Sequence, residues 1–193
     1  MRFELGHVPM PEGYGDGIMP LDACKAHLRV TRDSENELIA ALRDAAIEYV
    51  ERFCGLKLGP QTGLTWRAER LPQSSSVGVD LAVRPIAEIS SIVWRDAGGA
   101  SVTGDASDLR VTEAGVLRPA IGKVWPSGIA GDVVVTFSAG YASGEAPPSL
   151  LSAVKLMLGH LFMNREAVVS TGVAGEVPFG VAAMCASFRP VVI

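Results

Sequence analysis

Cysteine is scarce in this chain. Cys24, Cys54 and Cys185 are its three thiols, and they stand far apart. No two have the CxxC spacing of a metal or redox site, and an odd, scattered set does not form a disulfide framework. A reducing compartment fits such usage. Histidine is equally sparse: His7, His27 and His160, with no HExxH and no His/Cys cluster. Isolated structural or surface histidines are the plain reading, and no metal ligands are expected. Positive charge is not in excess, with 17 Lys+Arg against 21 Asp+Glu and a formal net charge of −4. A dedicated duplex-DNA binder draws its affinity from phosphate neutralisation and carries a basic surplus, which is lacking here. Long apolar runs are missing too. The stretch from about Leu150 to Met163 is broken by Ser152, Lys155, Gly159 and His160, too short and polar to span a bilayer. The start, MRFELGHVPMPEGYG, has no apolar signal core. The expectation is a soluble chain made in the cytoplasm, with no membrane partner.

Catalytic motifs are absent as well. There is no GxSxG and no GxxxxGK[ST]. Ser127-Gly128 and Ser138-Ala139-Gly140 read as loop and strand-end punctuation, and Gly98-Gly99 as a hairpin turn. Glu48, Glu51 and Glu166 could pair for acid–base work, but Glu48 and Glu51 fall on the expected solvated face of a helix. Trp66, Trp94 and Trp125 lack interleaved Lys or Arg, so core packing is expected over base stacking. No catalytic, cofactor-binding or metal residue is assigned, and no enzyme is expected.

What is present is an ordinary globular composition: 193 residues, 48% hydrophobic and 20% charged, enough for one domain with a real core or two very small ones. Residues 1–19, with Pro9, Pro11, Gly13, Gly15 and Gly17, show no periodicity and are expected to be an extended arm. Pro20 to Leu28 reads as a short helix. Ser34 and Glu37 make a capping box before an amphipathic helix to about Cys54. Its stripe is Leu38, Leu42, Ala45, Tyr49, Phe53 and Leu56, widened by Ile39, Ala46 and Val50; Gly55 follows as C-cap. The period then changes. Thr62–Leu71, Val77–Val83, Glu88–Arg95, Asp108–Val111, Val116–Leu117 and Asp132–Ser138 are short strand-like runs between turn clusters, which predicts a small antiparallel sheet. No strand–helix–strand alternation occurs, which argues against a doubly wound nucleotide-binding fold.

After Pro147-Pro148, a helix over 149–166 is apolar almost all round, so several of its sides should be covered, some by other subunits. It ends in Asn164-Arg165-Glu166, for which two readings stand: ordinary capping, or a polar clamp at a subunit contact. Residues 167–176 read as a loop and 178–188 as a last helix. The fold class is therefore α+β: a small helical bundle (near 20–28, 34–54, 149–166 and 178–188) with an antiparallel β insertion at about 62–138. The expected organisation is an arm over 1–19, one domain over 20–190 and an extended tail over 189–193.

Several stretches then carry a resemblance: PLDACKAHLRV, DAAIEYVERFCGLKL, VDLAVRPIAEISSIVWRDAGG, WPSGIAGDVVVTFSAGY, APPSLLSAVKLMLGHLFMNRE and EVPFGVAAMCASFRP. Their order and spacing resemble the head–tail connector (adaptor) proteins of tailed bacteriophages, among the long prophage-encoded connectors with a β insertion. Phage-derived gene transfer particles use the same parts. The resemblance implies a structural subunit of a dodecameric ring under the portal protein, extending the DNA channel and docking the next connector or the tail. Double-stranded DNA would pass through the lumen without sequence-specific binding, and no cofactor is held. The implied location is the head–tail junction of a virion, assembled in the bacterial cytoplasm. The interface residues expected on this basis are Asn164, Arg165, Glu166, Arg189, Pro190, Val191, Val192 and Ile193, the last five reaching toward the portal. The residues alone leave another class open, a small cytoplasmic binding module or an unrecognised hydrolase.

Overall fold

The computed structural model describes residues 2–6, 8–164 and 179–189. The chain divides into two compact units, one of residues 1–10 and 60–140 and one of residues 11–59 and 141–193. The class is α+β, as the sequence implies.

The first unit is built of β-strands, with a 3-10 turn at Ala106–Asp108. Its larger sheet orders β1 (Phe3–Leu5), β2 (Gln61–Ala68), β8 (Val133–Ala139), β4 (Ile86–Arg95) and β5 (Ser101–Gly104) side by side, every described pair antiparallel. A smaller sheet orders β3 (Val79–Asp80), β7 (Val116–Pro119) and β6 (Leu109–Val111). The central strand, β8, alternates strictly, with Val133, Val135, Phe137 and Ala139 buried and the residues between them half-buried. That period of two is what one covered sheet face requires. Register sets Trp66 and Ile92 on either side of Val135, so three large apolar side chains meet in one row. Leu64, Leu81, Leu117 and Trp125 extend the same cluster. Each such side chain, fully buried, contributes about 1.5–3 kcal/mol. The turn from β4 to β5 is the expected Gly98-Gly99 hairpin. Gly99 takes φ 80°, and the Asp96 carboxylate accepts from the Gly98 and Ala100 amides at 2.9 Å.

The second unit is helical: α1 (Tyr14–Ile18), α2 (Leu21–Leu28), α3 (Asn36–Cys54), α4 (Pro148–Met163) and α5 (Phe179–Cys185), with 3-10 turns at Asp33–Glu35 and Ala186–Phe188. α3, α4 and α5 pack on one another, and α2 packs on α3 and α4. The interior takes Ile39, Ala46, Ile47 and Val50 from α3, Leu150, Val154 and Leu158 from α4, and Val181 and Cys185 from α5. Gly55 closes α3 at φ 65°, a left-handed conformation that glycine adopts without strain.

Several expectations need correction. Residues 1–19 are not simply an arm, because Phe3–Leu5 pairs with β2 and Tyr14–Ile18 is helical. The spacing of those residues gave no cue, since the strand is three residues long and draws its stability from its partner. Ser34 is not a cap: Asp33–Glu35 is a 3-10 turn, and α3 begins at Asn36. Lys25 pins that start from α2, donating to Asp33 at 2.7 Å and Asn36 at 3.0 Å. α4 stops at Met163 rather than at 166. The last helix turns 3-10 after Cys185. β5, with its polar Ser-Val-Thr-Gly sequence, had no apolar run to mark it.

Candidate assembly surface

The helical unit distributes its polar groups against expectation. Glu51 lies on a face of α3 expected to be solvated, yet it is 2% exposed, and Arg43 on the same helix is 4% exposed. The segment from Tyr14 to Met19 covers them. Glu51 accepts from the Tyr14 hydroxyl at 2.5 Å, the Leu58 amide at 2.8 Å and Lys57 Nζ at 2.8 Å. Tyr14 in turn accepts from the Gly59 amide at 3.0 Å. Burial first, then the Glu51 carboxylate, pushes the Tyr14 phenol far above its ordinary range. Arg43 donates to Asp16, to Asp44 at 2.9 Å and to the Met19 carbonyl at 3.4 Å. Gly15 fits because a Cβ there would strike the Arg43 and Asp44 side chains. A buried carboxylate with three donors is a structural clasp, since its acceptor capacity is committed within the fold.

The cysteines are also structural. Cys24, Cys54 and Cys185 are free and buried. Burial, followed by the neighbouring Cys185 thiol, pushes the Cys54 thiol up to about 12, and burial raises Cys24 and Cys185. Such thiols hold little thiolate at neutral pH and are poor nucleophiles. Among the described residues, no group of three or more His, Cys, Asp or Glu could hold a metal ion. No helix among them is long and apolar enough to cross a membrane.

The apolar pattern of α3 is split. Ile39, Ala46, Ile47, Val50 and Cys54 are fully covered. Leu38 and Ala45 are exposed, while Leu42, Tyr49 and Phe53 are half-buried. Tyr49 and Phe53 stack with centroids 6.0 Å apart. Together with Ala45, Glu48 and Arg52 they line an open groove of about 440 Å3. α4 likewise buries Leu150, Ala153, Val154, Met157 and Leu158 but exposes Leu156, and Met163 is 79% exposed. In the β unit, the loop between β7 and β8 holds out Ile121 and Val124.

Of the expected interface residues, two are described. Asn164 caps α4: its amide and its side-chain Nδ2 both donate to the His160 carbonyl, at 3.0 and 2.8 Å. Arg189 is exposed in extended backbone, with its guanidinium 4.8 Å from the centroid of the Phe53 ring. Arg165, Glu166, Pro190, Val191, Val192 and Ile193 lie outside the described residues. Sequence reasoning missed Glu51, Arg43 and Tyr14, whose partners are set by tertiary contacts that no local spacing announces.

Residues 18–92, which include α2, α3 and β2, match the family model described as phage gp6-like head-tail connector protein. No curated protein matches the chain. Solved structures do. A chain from the neck of an empty gene transfer agent particle, computed with C6 symmetry, is 23% identical with a TM-score of 0.71, over 100% of this chain and 97% of that one. A chain from the virion of the native gene transfer agent particle is 22% identical, TM-score 0.71, over 98% and 96%. One from the neck of the native particle, computed with C12 symmetry, is 21% identical, TM-score 0.68, over 100% and 97%. The fold is thus shared from end to end with chains of virion necks. The resemblance to tailed-phage head–tail connector proteins is borne out by that family-model match over residues 18–92.

Proposed function

We propose that this chain is a structural head–tail connector (adaptor) subunit. Copies form a ring in the neck of a phage or phage-derived particle, below the portal protein, where the ring extends the DNA channel and docks the next connector or the tail. The observation that carries this reading is the connector-family match over residues 18–92, within a fold shared along the whole chain with virion-neck proteins. The chemistry of the helical unit agrees with it. Glu51 and Arg43 hold the fold together, the thiols are kept neutral, and apolar side chains on α3 and α4 are left over for contact. The role is structural and not catalytic. A net charge of −4 also suits a channel wall past which double-stranded DNA must slide without being gripped. The dodecameric state, the portal and tail partners, and assembly in the bacterial cytoplasm follow from the same reading, as does a portal-facing role for residues 189–193.

The test is genetic and biochemical. Removing the gene from the cell that makes the particle should leave DNA-filled heads without tails. Adding the purified chain to those heads should restore tail joining. Normal tailed particles without the chain would refute the reading.

A further inference from the structure

The long helix α3 carries enough apolar surface for two partners; among the described residues its own unit buries one face and rests Arg189 on the other, at Phe53. The covered set is Ile39, Ala46, Ile47, Val50 and Cys54. The second set, Leu38, Leu42, Ala45, Tyr49 and Phe53, steps by four, three, four and four residues and forms a continuous stripe along the helix. An apolar stripe kept at the surface of a small unit marks a contact. Stacked Tyr49 and Phe53 give it a stiff aromatic ledge of the kind that anchors interfaces.

We propose that this stripe is the lateral seam between copies of this chain, and that the next copy covers it with the outer face of α4. The inference rests on the connector reading above. A closed ring is built from head-to-tail contacts, so every subunit must present two different, mutually complementary patches. The α3 stripe is one. The α4 face is the other, with Leu156 and Met163 exposed beside Lys155. The charges agree in sign. Glu48 forms part of the groove wall, and among the described residues it makes a long 3.9 Å ion pair with Arg52, both side chains largely exposed. Such a pair holds Glu48 weakly, leaving it available to a Lys155 from the next copy. α4 itself contains no acidic residue.

The experiment places a photo-crosslinking benzoylphenylalanine at position 45 of the full chain and irradiates it after assembly onto portal-bearing heads. The expected product is a ladder of this chain's own multiples, with the crosslink mapping to α4 of a second copy. A parallel variant, Ala45→Arg, should keep the wild-type melting temperature, because the position is exposed, and reduce ring assembly by about tenfold or more. A crosslink within one copy, to the portal or to another virion protein, overturns the seam, as does one to a different part of the second copy. So do rings that form normally with Ala45→Arg. If the unmodified chain forms no ring on heads, the connector reading falls and the seam with it. Intact wild-type rings with no crosslink to a second copy sink the seam alone.

Discussion

The two units of this chain bury different chemistry. The β unit closes over hydrocarbon and indole: Trp66, Ile92, Val135 and Phe137 meet in a core organised by strict alternation along β8. The helical unit closes over a mixture, with Leu150, Leu158 and Ile47 in one part and the Tyr14–Glu51–Lys57 and Arg43–Asp16 clasps in another. It also leaves apolar side chains of α3 and α4 outside. A unit that spends buried polar bonds on its own N-terminal segment while exposing leucine and methionine is organised for contact as well as for stability. The two units should therefore fail differently when mutated.

The largest effect is expected from Leu158→Asp. An unpaired carboxylate in place of a fully buried leucine costs several kcal/mol and should unfold the helical unit. Leu161→Asp should be milder, because Leu161 is half-buried. Circular dichroism melts of both variants check the order. In the β unit, Phe137→Ala should cost about 3–5 kcal/mol, read as a fall in the denaturation midpoint. Glu51→Ala should cost about 3 kcal/mol, since it strands Tyr14 and the Leu58 amide, and Tyr14→Phe about 1.5 kcal/mol. If Glu51→Ala left the midpoint unchanged, the clasp would not be holding the N-terminal segment, and the contrast between the units would dissolve.

A pH titration sharpens the comparison further. Burial raises the Cys54 thiol to about 12 in the folded state. Its contribution to stability is fully present below the unfolded thiol's ordinary value near 9. It is lost as pH climbs from there toward 12, because the unfolded chain releases a proton that the folded one retains. Alkaline unfolding should therefore have a shallower pH dependence in Cys54→Ala. An unchanged slope would place the loss elsewhere. The smallest effect is expected at the start of α3, where Lys25→Ala removes a contact to the exposed Asp33 that solvent already weakens, and the melting temperature should barely move.

The units also differ in how much of each was legible in sequence. A strand has two faces, so the alternation in Val133–Ala139 assigns inside and outside at once, and it does so correctly. A long helix can have three kinds of face. In α3 the core stripe reads as Leu38, Leu42, Ala45, Tyr49, Phe53 and Leu56, widened by Ile39, Ala46 and Val50; the structure buries Leu56 and the widening set but leaves Leu38 and Ala45 exposed and Leu42, Tyr49 and Phe53 half-buried. Hydrophobic spacing shows that these side chains avoid water; it does not say whether their own unit or another molecule shields them. Buried charge was illegible for a related reason. Glu51 meets Tyr14 across 37 positions of chain, and nothing near either residue distinguishes it from the exposed Glu48 one turn away. Of the expected interface, Asn164 proves to be occupied with its own helix end, while Arg189 rests on Phe53 beside the groove.

The central claim is that the chain is a ring-forming neck component, and imaging of the particle that carries it tests this most directly. A small tag inserted in the exposed β4–β5 hairpin at Gly98-Gly99 would mark each copy. The account predicts a closed ring of tagged subunits at the neck, between portal and tail, with twelvefold symmetry. Tags found on the capsid shell or the tail shaft, or absent from the particle, would contradict it.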